Sequence, residues 1–368
     1  MTISVDQFVQ AYAAEMTGHA MDLDRLVTEP SGLDVPGMLA ALGDPRLARL
    51  GITLMADFMA PEGSIYYDAI FGAYHGQLAI RGWLVPAMAE IEVIEFVPTA
   101  ESVLFDDGQG VSSLDEWRMV AKMGDETIPL SRGVSVRRYR DGWITWACDV
   151  YDTGAFRQPP PPDSGIEAAP IPPWPRVEWT SDRVAAPAPL SDAAQAWLRS
   201  RPQGRPAGDA SLVSVPSGLA HSEMSNVLGD PVASADSHAV SDLFHPTESV
   251  YIDPLFGEFH GQAAIRGWLT DVMAKVGNLE FELLGPLLFD GSTSVQEWKQ
   301  MAVLPNGGKV MMARGTSVRR FADGWVVYAA DYFDTAPFAD AEIQAAATAA
   351  GSTLSAADVA KYMVAQSS

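Results

Sequence analysis

The feature that most constrains this chain is that it contains the same pattern twice. Residues 64–88 and 249–273 are identical at 15 of 25 positions without a gap, and a second matched pair lies at 133–156 and 315–338. The repeat length of about 185 residues far exceeds a solenoid unit, so each copy is long enough to bury its own core. The chain is therefore predicted to build two similar domains, each with its own candidate site.

Charge and cysteine content narrow the functional class. The net charge is −23 over 368 residues, which disfavours binding to nucleic acid or to anionic lipid. The single cysteine, Cys148, excludes an intrachain disulfide and a thiolate metal cluster. The N-terminal residues do not resemble a signal peptide, and no apolar run approaches the ~20 residues of a membrane helix. We expect a cytoplasmic protein that contacts neither nucleic acid nor membrane.

The periodicity of apolar residues changes along each copy. Helical spacing covers 4–27, and a Leu-Gly-Asp-Pro string precedes helices that end near Met59 and Phe244. A short strand, a Gly-containing loop and a helix follow, and then β-rich segments separated by Asp-Gly and Asn-Gly turns, which are hairpin signals. This order predicts an α+β domain in each copy. In the first copy the predicted strand is Ile65–Asp68 and the predicted helix is Gln77–Met88. In the second copy they are Val250–Asp253 and Gln262–Met273.

The proposed domain boundaries follow the repeat. The first domain spans 1–157 with an N-terminal helical arm, and the second spans 216–338. Between them, 158–215 reads as a Pro-rich connector, since proline sustains neither helix nor central strand. Trp174 and Trp179 suggest that this connector packs on a domain surface. An Ala-rich helical tail at 339–368 is predicted to hold a helix over 356–364.

One string of residues resembles a known family. Asp-Pro-x-x-Gly-x-x-x-His-Gly-x-x-x-Ile-x-x-Trp runs from Asp253 to Trp268, and from Asp68 to Trp83 with Ala69 in place of proline. The string resembles the SnoaL-like branch of the nuclear transport factor 2-like superfamily. The resemblance implies two tandem cone-shaped α+β barrels, each a strongly bent, mostly antiparallel sheet around a pocket that helices close.

The same resemblance implies roles for several acids. Steroid isomerases of this superfamily use the first Asp of the string as the base, which corresponds to Asp68 and Asp253. Their oxyanion-stabilising acid corresponds to Ser135 and Ser317, which argues against isomerase chemistry of that type. Polyketide cyclases of this branch use an Asp on the last strand, which corresponds to Asp149 and Asp331. Limonene-epoxide hydrolases use an inward Arg, which corresponds to Arg132 and Arg314.

Residue chemistry supports the acids without the family. Asp68 and Asp253 would be bases if an apolar pocket raises their pKa towards neutrality, or they would only cap the loop that follows each strand. Asp149 and Asp331 interrupt apolar strands, so each is either functional or paired with an arginine on a neighbouring strand.

Further candidates recur in both copies. His75 and His260 follow the first acids by seven residues and would act as acid, base or hydrogen-bond donor, or would only fix the loop. A recurring Glu-Trp pair in a later strand reads as an exposed Glu beside a buried Trp. The predicted substrate-binding residues are Tyr66, Arg132, Arg137, Tyr151, Tyr251, Arg314, Arg319 and Phe333.

These observations predict a lyase that needs no cofactor. A carboxylate base with a polar partner can remove water or release a small aldehyde such as formaldehyde from an apolar aromatic or polycyclic substrate. Neither a phosphate-binding Gly-rich string nor a metal-ligand string occurs. The alternatives are a polyketide cyclase or steroid isomerase, an epoxide hydrolase, and a non-catalytic binding or dimerisation module. We expect a pseudo-dimer within the chain, and the sequence leaves a homo-oligomer open.

Overall fold

The structure divides into two compact units. The computed structural model describes residues 3–17, 22–47, 50–69, 71–89, 94–106, 108, 110–123, 126–154, 185–201, 212–355 and 357–358. Its contacts separate a unit built mainly from Met1–Val150 from one built mainly from Glu178–Ser368. Two units of similar construction are what the internal repeat predicts.

The first unit begins with helices and ends with a sheet. Helix α1 is shorter than the predicted 4–27, and the segment predicted as a Gly-containing loop after β1 contains a second strand, β2. The elements are α1 (Val5–Glu15), α2 (Val35–Leu42), α3 (Gly51–Phe58), β1 (Ile65–Asp68), β2 (Gly72–His75), α4 (Gln77–Ala89), β3 (Ile94–Pro98), β4 (Val103–Asp106), β5 (Val111–Met123), β6 (Glu126–Arg140) and β7 (Trp143–Tyr151).

The second unit repeats this order. Its loop after the first strand is again a strand, β9. The elements are α5 (Asp192–Ser200), α6 (His221–Gly229), α7 (Ser237–Asp242), β8 (Val250–Asp253), β9 (Gly257–His260), α8 (Gly261–Met273), β10 (Leu279–Leu283), β11 (Leu288–Phe289), β12 (Thr293–Val303), β13 (Lys309–Ala322), β14 (Trp325–Phe333) and α9 (Ala341–Ala349).

Both sheets have seven strands in the same order. The first runs β2-β1-β7-β6-β5-β3, the second runs β9-β8-β14-β13-β12-β10, and β4 and β11 pair with β5 and β12. All pairs are antiparallel except β1 with β7 and β8 with β14. The predicted α+β class with a mostly antiparallel sheet is confirmed. The parallel pair matters most, because it sets the first strand of each unit beside the last.

The Asp-Gly turns behave as the sequence predicts. Asp141 and Gly142 have φ values of 52° and 80°, and Asp323 and Gly324 have 50° and 78°. Positive φ at both central residues gives the twist that joins antiparallel strands tightly. These turns make β6 with β7, and β13 with β14, hairpins that fix the position of Asp149 and Asp331.

A buried ion pair ties the helices of each unit together. In the second unit, Arg266 on α8 donates to Asp242 at the end of α7 over 2.6 Å, with side chains only 2% and 1% exposed. In the first unit, Arg81 on α4 pairs with Asp57 on α3, which also accepts from the hydroxyl of Tyr12. A buried charge is stable only when it is paired, so these contacts lock the helices over the sheet.

Parts of the predicted connector and tail are structured. Residues 155–184, including Trp174 and Trp179, and residues 202–211 lie outside the described residues, as does most of the predicted helix at 356–364. Within the predicted connector, however, α5 packs Ala194 and Trp197 into the core of the second unit. The tail supplies α9, whose Asp340 caps the amides of Glu342 and Ile343.

None of the helices within the described ranges has the length and apolar character needed to cross a bilayer.

Candidate active site

The second unit encloses a cavity of about 1490 Å³. Five of its polar side chains come from three strands: Tyr251 and Asp253 on β8, Ser317 and Arg319 on β13, and Asp331 on β14. Helix α9 closes one side of the cavity through Ile343 and Ala347. Most of the remaining wall is apolar and includes Val240, Phe244, Phe256, Trp268, Trp298 and Phe333, and Glu280, Gln296 and Gln300 also line it.

Asp253 lies at the end of β8, facing the cavity. Its Oδ1 accepts hydrogen bonds from the amides of Leu255 and Phe256, at 2.8 and 2.9 Å, and the residue is 7% exposed. Burial raises the pKa of Asp253 to about 7, and the negative charge of Asp331 adds to this effect. Asp253 therefore caps its loop and also has the pKa of a general base near neutrality.

Asp331 stands at the centre of a hydrogen-bond network. The hydroxyl of Tyr251 donates to its Oδ2 over 2.6 Å, and the hydroxyl of Ser317 donates to its Oδ1 over 2.5 Å. The indole N–H of Trp298 donates to Ser317 over 2.8 Å. Burial, and then the charge of Asp331, raises the pKa of Tyr251 well above its ordinary value, so the phenol keeps its proton at neutral pH.

The first unit repeats this network. Tyr66 and Ser135 donate to the two carboxylate oxygens of Asp149 over 2.5 and 2.6 Å, and Trp117 donates to Ser135 over 2.9 Å. Asp68, 7% exposed, pairs with Asp149 in the register of β1 and β7 and accepts from an amide in the following loop. Asp68 and Asp149 are therefore direct neighbours on adjacent strands of the first unit.

The two histidines do not join the acids. Both side chains are exposed, and His260 is 67% exposed and contacts Glu258 at 3.1 Å. The reason is strand alternation, since His75 and His260 end β2 and β9 on the outward face before the helix begins. The prediction that His75 and His260 take part in catalysis is corrected.

Two of the predicted arginines also face away. Arg314 is buried against Glu297 at 3.4 Å, and it lies three positions before Ser317, so it is on the other face of β13. Arg132 holds the corresponding position before Ser135. The predicted roles of Arg132 and Arg314 in substrate binding or in pairing with the acids are therefore wrong, as is the expected exposure of Glu297.

The other arginine pair lies on the cavity face of the sheet. Arg319 lines the cavity and donates to the carbonyl of Leu228 over 3.3 Å. Arg137, its counterpart, forms an ion pair with Asp115. Phe333 lines the cavity as predicted, and Tyr151 is buried at the equivalent end of β7.

Sequence reasoning missed the part played by the tryptophans. Trp117 and Trp298 were expected only to pack, yet each orients the serine that holds the central acid. A signal was present in the glycine opposite each indole. A Cβ on Gly133 would lie 2.2 Å from Trp117, and one on Gly315 would lie 2.4 Å from Trp298, so only glycine lets the rings cross the neighbouring strand.

We expect Gly315→Ala to destabilise the protein by about 1–3 kcal/mol, because the added methyl group clashes with the indole ring of Trp298. The displaced ring then loses the hydrogen bond from its N–H to the hydroxyl of Ser317. Urea unfolding and intrinsic fluorescence measure the effect. Gly267→Ala is the matched control. Nothing lies within 4 Å of a Cβ there, and alanine favours the interior of α8 by about 1 kcal/mol. Equal stability of the two variants would contradict the assignment.

No cluster of three or more His, Cys, Asp or Glu side chains suited to a metal ion occurs in the portion of the chain that is described.

Comparison with known proteins gives one family match and several similar solved structures. Residues 230–329 match the model of the SnoaL-like domain family. A protein of ketosteroid isomerase-like fold from Catenulispora acidiphila, solved with trimethylamine, is 16% identical and covers 31% of this chain and 88% of its own, with a TM-score of 0.26. A candidate isomerase of the SnoaL-like family from Agrobacterium tumefaciens is 20% identical and covers 31% and 97%, also with a TM-score of 0.26.

A nuclear transport factor 2-like protein of unknown function from Burkholderia pseudomallei is 18% identical and covers 32% of this chain and 92% of its own, with a TM-score of 0.28. No curated protein is similar enough to count as a relative. The family match falls within the second unit, where the sequence pattern predicts a SnoaL-like domain.

Proposed function

We propose that the second domain catalyses cofactor-independent proton transfer on an apolar aromatic or polycyclic substrate, with Asp253 as the general base. The observation that carries the proposal is a buried carboxyl with a pKa of about 7 at the edge of a mostly apolar cavity. A base works best when its pKa lies near the working pH, since it is then both deprotonated and strong.

Tyr251 supplies the second group that the chemistry needs. Its phenol remains protonated and lies on the same strand as Asp253, two residues away and therefore on the same face. When substrate enters, the phenol can turn its hydrogen bond from Asp331 to a substrate oxygen on which negative charge develops. Asp331 and Ser317 then position the tyrosine and do not react themselves.

The favoured reaction is a lyase step on a β-hydroxy carbonyl compound or its vinylogue. For dehydration, Asp253 takes the α-proton, the electron pair moves onto the carbonyl oxygen, and the enolate then expels the β-hydroxyl as water. For retro-aldol cleavage, Asp253 takes the β-hydroxyl proton, the carbon–carbon bond breaks, and formaldehyde or another small aldehyde leaves. In both cases Tyr251 stabilises the enolate oxygen, and the proton held by Asp253 returns to product or leaving group.

A substrate panel tests this proposal. An aryl β-hydroxy ketone reports dehydration, an aryl ketone with a hydroxymethyl group on its α-carbon reports formaldehyde release, and a Δ5-3-ketosteroid reports isomerisation by the same base. We expect turnover of the aryl compounds with no added metal or nucleotide. Turnover of the ketosteroid alone would replace the lyase assignment with an isomerase, and incorporation of labelled solvent oxygen into a diol product would indicate an epoxide hydrolase.

The pH profile carries a separate prediction. Because Asp253 must be deprotonated to act, kcat/KM should rise about tenfold per pH unit below 7 and level off above it, around the pKa of about 7. The measurement uses the Asp68→Asn variant, so that the first domain does not contribute. A profile that is flat from pH 5 to 8 would remove Asp253 from the role of base.

A further inference from the structure

The two halves differ at one position beside the cavity-face arginine. The Glu-Trp pair is preceded by Asp115 in the first copy and by Gln296 in the second. Asp115 on β5 and Gln296 on β12 each lie two positions before the tryptophan of the same strand. Each is therefore on the face of the sheet that carries the acid network. The substitution changes a charge at a point where the rest of the site is repeated.

In the first unit, the arginine is neutralised within the protein. Arg137 donates from Nη1 to the carboxylate of Asp115, and both side chains are largely buried. Asp115 also accepts a hydrogen bond from Ser102. A guanidinium held in this way has its charge compensated before any ligand arrives.

In the second unit, the side-chain amide of Gln296 bonds to backbone carbonyls and not to Arg319. The side-chain nitrogen of Gln296 donates to the carbonyls of Gly285 and Glu297 at 3.3 and 3.1 Å. Arg319 donates from Nη2 to the carbonyl of Leu228, and its Nη1 is buried with no hydrogen bond to any residue that the structure describes. The guanidinium lines the cavity and, among the residues that the structure describes, forms no ion pair like that of Arg137 with Asp115.

The neighbouring acids do not replace that missing partner. Asp331 accepts from the hydroxyls of Tyr251 and Ser317, and Oδ1 of Asp253 accepts from two backbone amides, whereas neither carboxylate forms an ion pair with Arg319 within the described part of the chain. A buried guanidinium with an unused N–H strongly favours a planar anion, which it can bind through two parallel hydrogen bonds. Among its described lining residues, the cavity therefore contains one cationic group, Arg319, together with the carboxylates of Asp253, Glu280 and Asp331 and a mostly apolar wall.

We propose that the second cavity binds a substrate bearing a carboxylate, which pairs with Arg319, and that the first domain does not because Asp115 already occupies Arg137. The inference deepens the proposed function, on which it rests for the identity of the cavity as the substrate site. The substrate class becomes an aromatic or polycyclic carboxylic acid. The two domains then differ in specificity although their acid networks are the same.

Binding of 2-naphthoate, compared with its neutral analogue 2-naphthamide, tests the proposal on the full chain. Calorimetry gives the affinity and the number of sites. We expect one site per chain and at least a tenfold preference for the acid. Gln296→Asp should abolish that preference by restoring the carboxylate of the first domain, and Arg319→Gln should abolish it by removing the charge.

Asp115→Asn is the matched control, since it removes the carboxylate at the corresponding position of the other domain. The preference in the second cavity should persist in this variant, and a second naphthoate site would support the proposal further. Equal affinity for acid and amide in the unmodified chain, or an unchanged preference in Gln296→Asp, would overturn it. Because this assay requires no turnover, a failure of the proposed catalysis would leave its result intact.

Discussion

Replacing Asp253 with asparagine should lower kcat/KM of the second domain by about 10²–10⁴-fold, the usual contribution of a positioned base. Asparagine cannot accept the substrate proton, but its side-chain oxygen can still accept the amides of Leu255 and Phe256. The loop should therefore keep its shape. Turnover is measured at pH 8 in the Asp68→Asn background, and retention of full activity would exclude Asp253 as the base.

The same variant should be more stable than the parent protein at pH 8. The pKa of Asp253 is about 7 in the folded protein against an ordinary 3.8. The folded state thus binds the proton more tightly, and its stability falls as pH rises from about 4 to 7. Asparagine removes that cost of up to a few kcal/mol, so the gain in Tm should appear at pH 8 and vanish near pH 4. A lower Tm at pH 8 would indicate damage to the fold.

The second large effect concerns the helices. Asp242→Asn should reduce the free energy of unfolding by about 3–5 kcal/mol, because it leaves the charge of Arg266 buried with its carboxylate partner lost. The distance of 2.6 Å and the near-complete burial of both side chains make this contact far stronger than a surface pair. Urea unfolding followed by circular dichroism gives the change directly.

Two further variants separate the charge from the packing. The double variant Asp242→Leu with Arg266→Met should recover part of the loss, since apolar side chains of similar volume remove both fully buried charges. The recovery is incomplete because Arg201, which is 24% exposed, also loses its contact with Asp242. Lys309→Gln, which breaks an exposed pair with Glu280, should cost no more than about 1 kcal/mol. A similar cost for Asp242→Asn and Lys309→Gln would contradict the role assigned to the buried pair.

The parts of the site that the sequence predicts are those governed by short-range rules. The Asp-Gly turns, the strands that hold Asp68 and Asp149, and the SnoaL-like pattern are local strings. Strict use of strand alternation would also have rejected Arg314, since it lies three residues before Ser317. The histidines were misplaced because the segment before each was interpreted as a loop, whereas a strand fixes the direction of every second side chain.

Other features depend on pairing between distant strands. The indole of Trp298 meets Ser317 only because β12 and β13 pair antiparallel in one register, with Trp298 opposite Gly315. The cap on the cavity from α9 depends on where the chain returns after β14. The difference between Arg137 and Arg319 is visible in the sequence as Asp115 against Gln296, but its meaning requires the ion pair in one unit and the unused N–H in the other.

The parallel pairing of the first and last strands has an evolutionary consequence. Tyr66 and the acid it contacts are 83 residues apart in the chain, and Tyr251 and its acid are 80 apart, yet both contacts depend only on two adjacent strands. Insertions or deletions in the intervening helix and hairpins can reshape the cavity without moving the reactive groups. After a duplication, the two domains could thus diverge in substrate specificity while each keeps the same proton-transfer residues.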